Sequence, residues 1–71
     1  MPRVPIQPND RVKFSENRDG TYDFFVNGRI KEYDVDADEF RRILKKYHAP
    51  LPCWVLVEDT TGYTQRSRIS R

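Results

Sequence analysis

Residues 34–47, DVDADEFRRILKKY, constrain this chain more than any other stretch, because they specify a helix, its start and both of its faces. Asp36 stands where an N-cap is wanted and Glu39 comes three residues on, the spacing of a capping box. Val35 and Phe40 are placed to form a hydrophobic staple across the same start. Phe40, Ile43, Leu44 and Tyr47 recur at i, i+3, i+4 and i+7, so they share one side of the helix, and Arg41, Arg42, Lys45 and Lys46 take the other. The apolar stripe has to be buried on something, while the basic stripe faces water or a partner. Pro50 and Pro52 end the helix near Tyr47 or His48, since a residue before proline is pushed out of helical geometry.

The partner for that stripe is expected upstream. Residues 11–17 alternate with Val12 and Phe14 on one face, and Asn17-Arg18-Asp19-Gly20 reads as a type I turn with Gly20 in the left-handed position of a three-residue hairpin loop. With Asn17 opposite Thr21, Phe14 falls opposite Phe24 and Val12 opposite Val26. Asn27-Gly28 is a strong type I′ hairpin signal and joins residues 22–26 to residues 29–35. Continued without interruption, that pairing sets Tyr33 opposite Tyr22. Val12, Phe14, Tyr22, Phe24, Val26, Tyr33 and Val35 then share the face the helix covers, with the stems of Arg29 and Lys31 along it.

After the helix, CWVLVE at 53–58 reads as a buried strand, and Thr60-Thr61-Gly62 turns the chain into a last strand over 63–69. The fold expected is a single α+β domain over 11–71, an antiparallel sheet in the order β-β-β-α-β-β packed on one helix. The C-terminal hairpin either extends the sheet or folds across it. Phe25 and Ile30 pair on the side away from the helix, where the last two strands are expected to cover them; left exposed, they would make a small protein-binding patch rimmed by acidic groups. Residues 1–10, with prolines at 2, 5 and 8, form an extended arm.

The 71 residues suffice for one domain, and an aromatic content of 13% compensates in part for the small core such a chain can build. Cys53 is the single cysteine, which rules out an internal disulfide and suits a reducing compartment. No apolar run approaches the roughly 20 residues of a membrane span, and the N-terminus lacks the apolar core of a signal peptide. A cytoplasmic protein without a membrane partner is expected. Residues 1–39 hold six Lys/Arg against nine Asp/Glu, whereas residues 40–71 hold seven against two, together the chain's net +2. Such polarity points to a partner met by one side of the molecule.

Catalytic and metal chemistry finds little support. Asp34, Asp36 and Asp38 alternate as at the start of a calcium loop, but the sixth position is Glu39 where glycine must turn the chain, and the twelfth is Lys45 where a bidentate glutamate closes the shell. The one histidine, His48, suits the helix C-terminus, where a protonated imidazole complements the dipole. Cys53 opens an apolar strand with no base beside it. Glycine-rich phosphate loops and nucleophile elbows are absent, so neither an enzyme, a cofactor nor a metal is expected.

The function expected is that of a small non-enzymatic protein docking on a larger protein as an accessory or inhibitory subunit. Phe25, Ile30 and Tyr63 would be its anchors, and Arg41, Arg42, Lys45 and Lys46 would steer association. The alternative is nucleic-acid binding through Arg41, Arg42, Lys45 and Lys46 with Arg66, Arg68 and Arg71.

DGTYDFFVNGRIKEYDVDADEFRRILKK, a three-stranded meander and a packed helix, is similar in layout to the arm-type DNA-binding domain of tyrosine integrases over residues 18 to 46. The resemblance implies a sheet face opposite the helix that enters a major groove. Here that face would present Asp23, Glu32 and Asp34 beside Phe25 and Ile30, with Lys13 as the counterweight. Phosphate repels carboxylates, so that binding mode is not carried onto these residues.

Overall fold

Two turns set the first half of the fold. The computed structural model describes residues 4–70, so Pro2 of the arm and Arg71 of the tail lie outside the described residues. Strand β1 (Val12–Glu16) meets β2 (Tyr22–Val26) through a loop in which Asn17 N–H donates to Thr21 O at 2.7 Å and Gly20 takes φ +86°. The register is the expected one, Phe14 beside Phe24 and Val12 beside Val26. Asn27 and Gly28 both have positive φ, +54° and +81°, as a type I′ turn requires, and place Phe25 beside Ile30 at the start of β3 (Arg29–Val35).

Beyond that pair the register departs from expectation. The β2–β3 ladder slips twice, so that Phe24 faces Glu32 and Tyr22 faces Val35 instead of Tyr33. Each slip adds a residue to β3 and rotates the succeeding side chains onto the other face. Asp34 takes φ +55° at the second slip, a conformation that aspartate tolerates better than most side chains. Tyr33 therefore leaves the helix side and is 67% exposed. Glu32 moves the opposite way, to the helix side, where its carboxylate accepts from the Tyr47 hydroxyl at 3.0 Å and pairs with Lys46 at 3.2 Å.

Val35 is buried, and the chain then passes through a 3₁₀ turn (Ala37–Glu39) into helix α1 (Phe40–Lys46). Asp36 has the extended backbone of a cap, φ −67° and ψ 151°, yet its carboxylate makes no capping bond. The 3₁₀ turn supplies the reason: Glu39 N–H, the donor a capping box would use, already bonds Asp36 O at 2.9 Å. The expected stripe holds. Ile43, Leu44 and Tyr47 are buried; Phe40 stacks on Phe14 at 4.0 Å between centroids and meets Tyr22 edge-on at 4.9 Å. At its end His48 N–H bonds Lys45 O and Ala49 N–H bonds Leu44 O, the paired bonds of a Schellman motif, with His48 at φ +56°.

The chain returns through Pro50, Leu51 and a cis Pro52 to β4 (Cys53–Glu58), and a loop closed by Asp59 leads to β5 (Thr64–Ile69). Strand β4 joins β1 in parallel, with Leu56 beside Lys13 and Val57 beside Phe14, and β5 pairs antiparallel with β4 along its whole length. The sheet order is β3-β2-β1-β4-β5. The domain is thus the expected α+β unit, an open sheet in β-β-β-α-β-β order on one helix, antiparallel at every pairing except β1–β4. Parallel entry follows from the helix, which carries the chain back to the end from which β1 departs.

Phe14, Phe24, Leu44 and Val55 are fully buried between sheet and helix. The arm contributes Ile6, also buried, whose N–H bonds Tyr47 O at 2.9 Å. The Asn27 side chain also fastens the arm: its Oδ1 accepts from Arg11 N–H at 2.9 Å and its Nδ2 donates to Asp10 at 3.0 Å.

Candidate functional site

The C-terminal hairpin lengthens the sheet at β1 and does not fold over it, so the face away from the helix stays open. This corrects the expectation that Phe25 and Ile30 are covered by the last two strands. The registers place Ile30, Phe25, Lys13, Leu56 and Arg66 side by side, one from each strand, in a row that crosses the sheet. Trp54 and Arg68 form the next pair on the same face. Phe25 and Ile30 are half-buried by their neighbours, while Trp54 is 52% and Leu56 38% exposed.

Cations lie on the aromatic rings of this face. The Lys13 ammonium sits over Phe25 at 5.7 Å from the centroid and also pairs with Glu58. The Arg66 guanidinium lies over Trp54 at 4.4 Å. Such contacts hold long side chains flat on the rings, so less of their freedom is lost when a partner docks. Apolar residues flanked by arginine and tryptophan are the composition from which binding hot spots are built.

The structure does not gather the expected site residues on one surface. Phe25 and Ile30 are neighbours on the open face and are joined there by Arg66 and Arg68. Arg41, Arg42, Lys45 and Lys46 lie on the helix, across the sheet from them, and Lys46 is engaged by Glu32. Tyr63 is 69% exposed in the β4–β5 loop, beside Asp59, whose carboxylate accepts from its N–H at 3.0 Å. Arg68 does meet the helix residues at one place: with Arg41, Arg42, Phe40 and Ile69 it lines a shallow groove of about 370 Å³ along the β5 edge.

Compared with known proteins, the chain matches no family model, no curated protein and no solved structure.

Trp54 and Leu56 escape sequence reasoning because CWVLVE carries apolar residues at both parities. Val55 is buried under the helix and its neighbours Trp54 and Leu56 point the other way. Cys53 lines a depression of about 420 Å³ with Ile6, Pro50, Pro52, Trp54 and Arg66, and burial pushes its thiol pKa up. A thiol held protonated is a poor nucleophile. Burial also raises the Tyr22 phenol, with the Glu16 carboxylate that accepts its hydrogen bond at 3.0 Å adding to the effect. Among the described residues, no three His, Cys, Asp or Glu side chains converge on a metal position, and no helix is long and apolar enough to cross a membrane.

Proposed function

We propose that this chain is a non-enzymatic binding protein that docks on a larger protein, as an accessory or inhibitory subunit, through the open face of its sheet. The observation that supports it is the uncovered row Ile30, Phe25, Lys13, Leu56 and Arg66 with Trp54 beside it, an apolar and cationic surface on a sheet whose other face packs on the helix. Phe25 and Ile30 remain anchors in this reading, Trp54 and Leu56 join them, and Arg41, Arg42 and Lys45 on the far side steer approach through the overall field. The lone cysteine suits work in a reducing compartment such as the cytoplasm.

The test compares affinity for a partner captured by the intact chain with that of Trp54→Ala and Phe25→Ala variants. Each weakens binding about tenfold or more if the face is the docking surface. Unchanged affinity in both variants refutes it. A second reading, binding of single-stranded nucleic acid, draws support from the cations lying on Trp54 and Phe25, since bases stack on such platforms. Asp23 and Glu58 share the open face, which weighs against phosphate. Titration with single-stranded DNA and RNA at two salt concentrations separates the readings, because phosphate binding weakens steeply as salt rises.

A further inference from the structure

We infer that the free edge of β5 receives an acidic, extended segment of the partner as an added strand, its carboxylates set at alternate positions against Arg66 and Arg68. This rests on the protein-docking reading above and names the chemistry of the segment that docks.

The two edges of the sheet are not equivalent. Strand β3 slips twice against its neighbour and carries Asp34 at positive φ, so its outer edge is bent and poorly suited to template another strand. Strand β5 pairs with β4 at six successive positions without a slip. Asp59 N–H bonds Tyr63 O at 2.9 Å to close the loop, and antiparallel bonding alternates from there. Gln65, Ser67 and Ile69 accordingly bond inward to β4. The N–H and C=O groups of Thr64, Arg66 and Arg68 point outward, a straight row of peptide groups for an incoming strand.

Charge selects that strand. Arg66 and Arg68 stand on the open face of the edge, and Arg41 and Arg42 line the groove on its helix side with Arg68, Ile69 and Ser70. Among the described residues, Asp38 is the one carboxylate in the groove lining. Alternate side chains of an added strand therefore meet arginines on the open face, and the residues between them lie beside Ile69 with Arg41 and Arg42 close by. A second copy of this chain is a poor occupant. Antiparallel β5–β5 pairing with faces preserved sets arginine against arginine in every register that keeps Arg66 and Arg68 within the pair, and like charges opposite one another are destabilising.

The test is fluorescence anisotropy with a labelled peptide of alternating Glu and Val, six residues long to match β5. The whole chain is titrated against it at low salt. Binding is expected, with a loss of about tenfold or more in the Arg66→Glu, Arg68→Glu double variant, where like charge now opposes like. Arg41→Glu with Arg42→Glu gives a smaller loss. A peptide N-methylated at the positions that would bond β5 is expected not to bind. Circular dichroism spectra of the variants that match the parent at the assay temperature exclude misfolding as the cause, since all four arginines are exposed. Equal binding of the N-methylated peptide would show that charge alone holds it and overturn strand addition. Failure of the Glu-Val peptide to bind, or preferential binding of a single-stranded oligonucleotide, overturns the inference as well. Either failure is distinguishable from failure of the docking reading, which is scored by Trp54→Ala and Phe25→Ala against the whole partner.

Discussion

Arg66 lies over the indole of Trp54 although the two are not opposite one another, since Trp54 is paired with Arg68 and Arg66 with Leu56. The contact is diagonal, within reach of a long side chain and a large ring. It couples the edge strand to the one aromatic residue of β4. Arg66→Ala is expected to lower stability by about 0.5–1 kcal/mol, the range of exposed cation–π contacts. Urea denaturation measures it, with Gln65→Ala on the same strand as the control that should change little.

His48 occupies the left-handed position of the Schellman motif, where a side chain is disfavoured by roughly 1–2 kcal/mol and glycine is not. His48→Gly should therefore raise stability, by about 0.5–1 kcal/mol once the greater freedom of glycine in the unfolded chain is counted. A fall in the urea midpoint would contradict the cap geometry.

The Tyr47 hydroxyl and the Glu32 carboxylate tie the helix to the bulged strand at 3.0 Å. Tyr47→Phe is expected to lose about 1.5 kcal/mol, the lower end for a hydrogen bond to a charged group, since the Glu32 side chain is partly exposed. Because the pair acts as a unit, Tyr47→Phe and Glu32→Ala combined should lose less than the two single losses added. Full additivity would mean that the contact does not contribute.

How much of the fold is legible in the sequence can be traced residue by residue. The Asn27-Gly28 turn and Gly20 encode their geometry locally, so the pairs Phe14–Phe24, Val12–Val26 and Phe25–Ile30 can be read from the residues alone. The helix stripe is equally plain. A turn transmits register only to the first bulge, however, and nothing adjacent to Lys31 or Tyr33 marks one, which is why the pattern puts Tyr33 inside and Glu32 outside. The junction of β4 with β1 depends on which edge is free after the helix has packed, a property of the assembled half and of no segment. Ile6 likewise becomes core only because Tyr47 and Asn27 give the arm somewhere to dock. The open face is hidden for a related reason: Trp54 and Leu56 alternate with Val55 and Val57, so a two-sided strand looks like a strand buried on both sides.

Acid should loosen the turns first. The Asp19 carboxyl is held below its ordinary value by the Thr21 hydroxyl and N–H, the Asp59 carboxyl chiefly by the Thr61 hydroxyl, and Asp10 by the Gln7 N–H and the Asn27 amide. All three pKa values are lower in the folded chain, so the unfolded chain binds protons first as pH falls. Their contribution is complete above the ordinary aspartate value of about 4 and is lost as pH drops through the lower folded values. Unfolding free energy measured from pH 6 down to pH 2 should fall, and Asp19→Ala with Asp59→Ala should flatten that fall. An unchanged slope in the double variant would exclude the turns as its origin.

The open face itself is tested most directly by the chain's single tryptophan, since Trp54 lies on it. Acrylamide quenching of the free protein should be that of a half-exposed indole, and a docked partner should reduce it several-fold. A Trp54 already shielded in the free chain, or one whose quenching is untouched by a bound partner, would contradict the account.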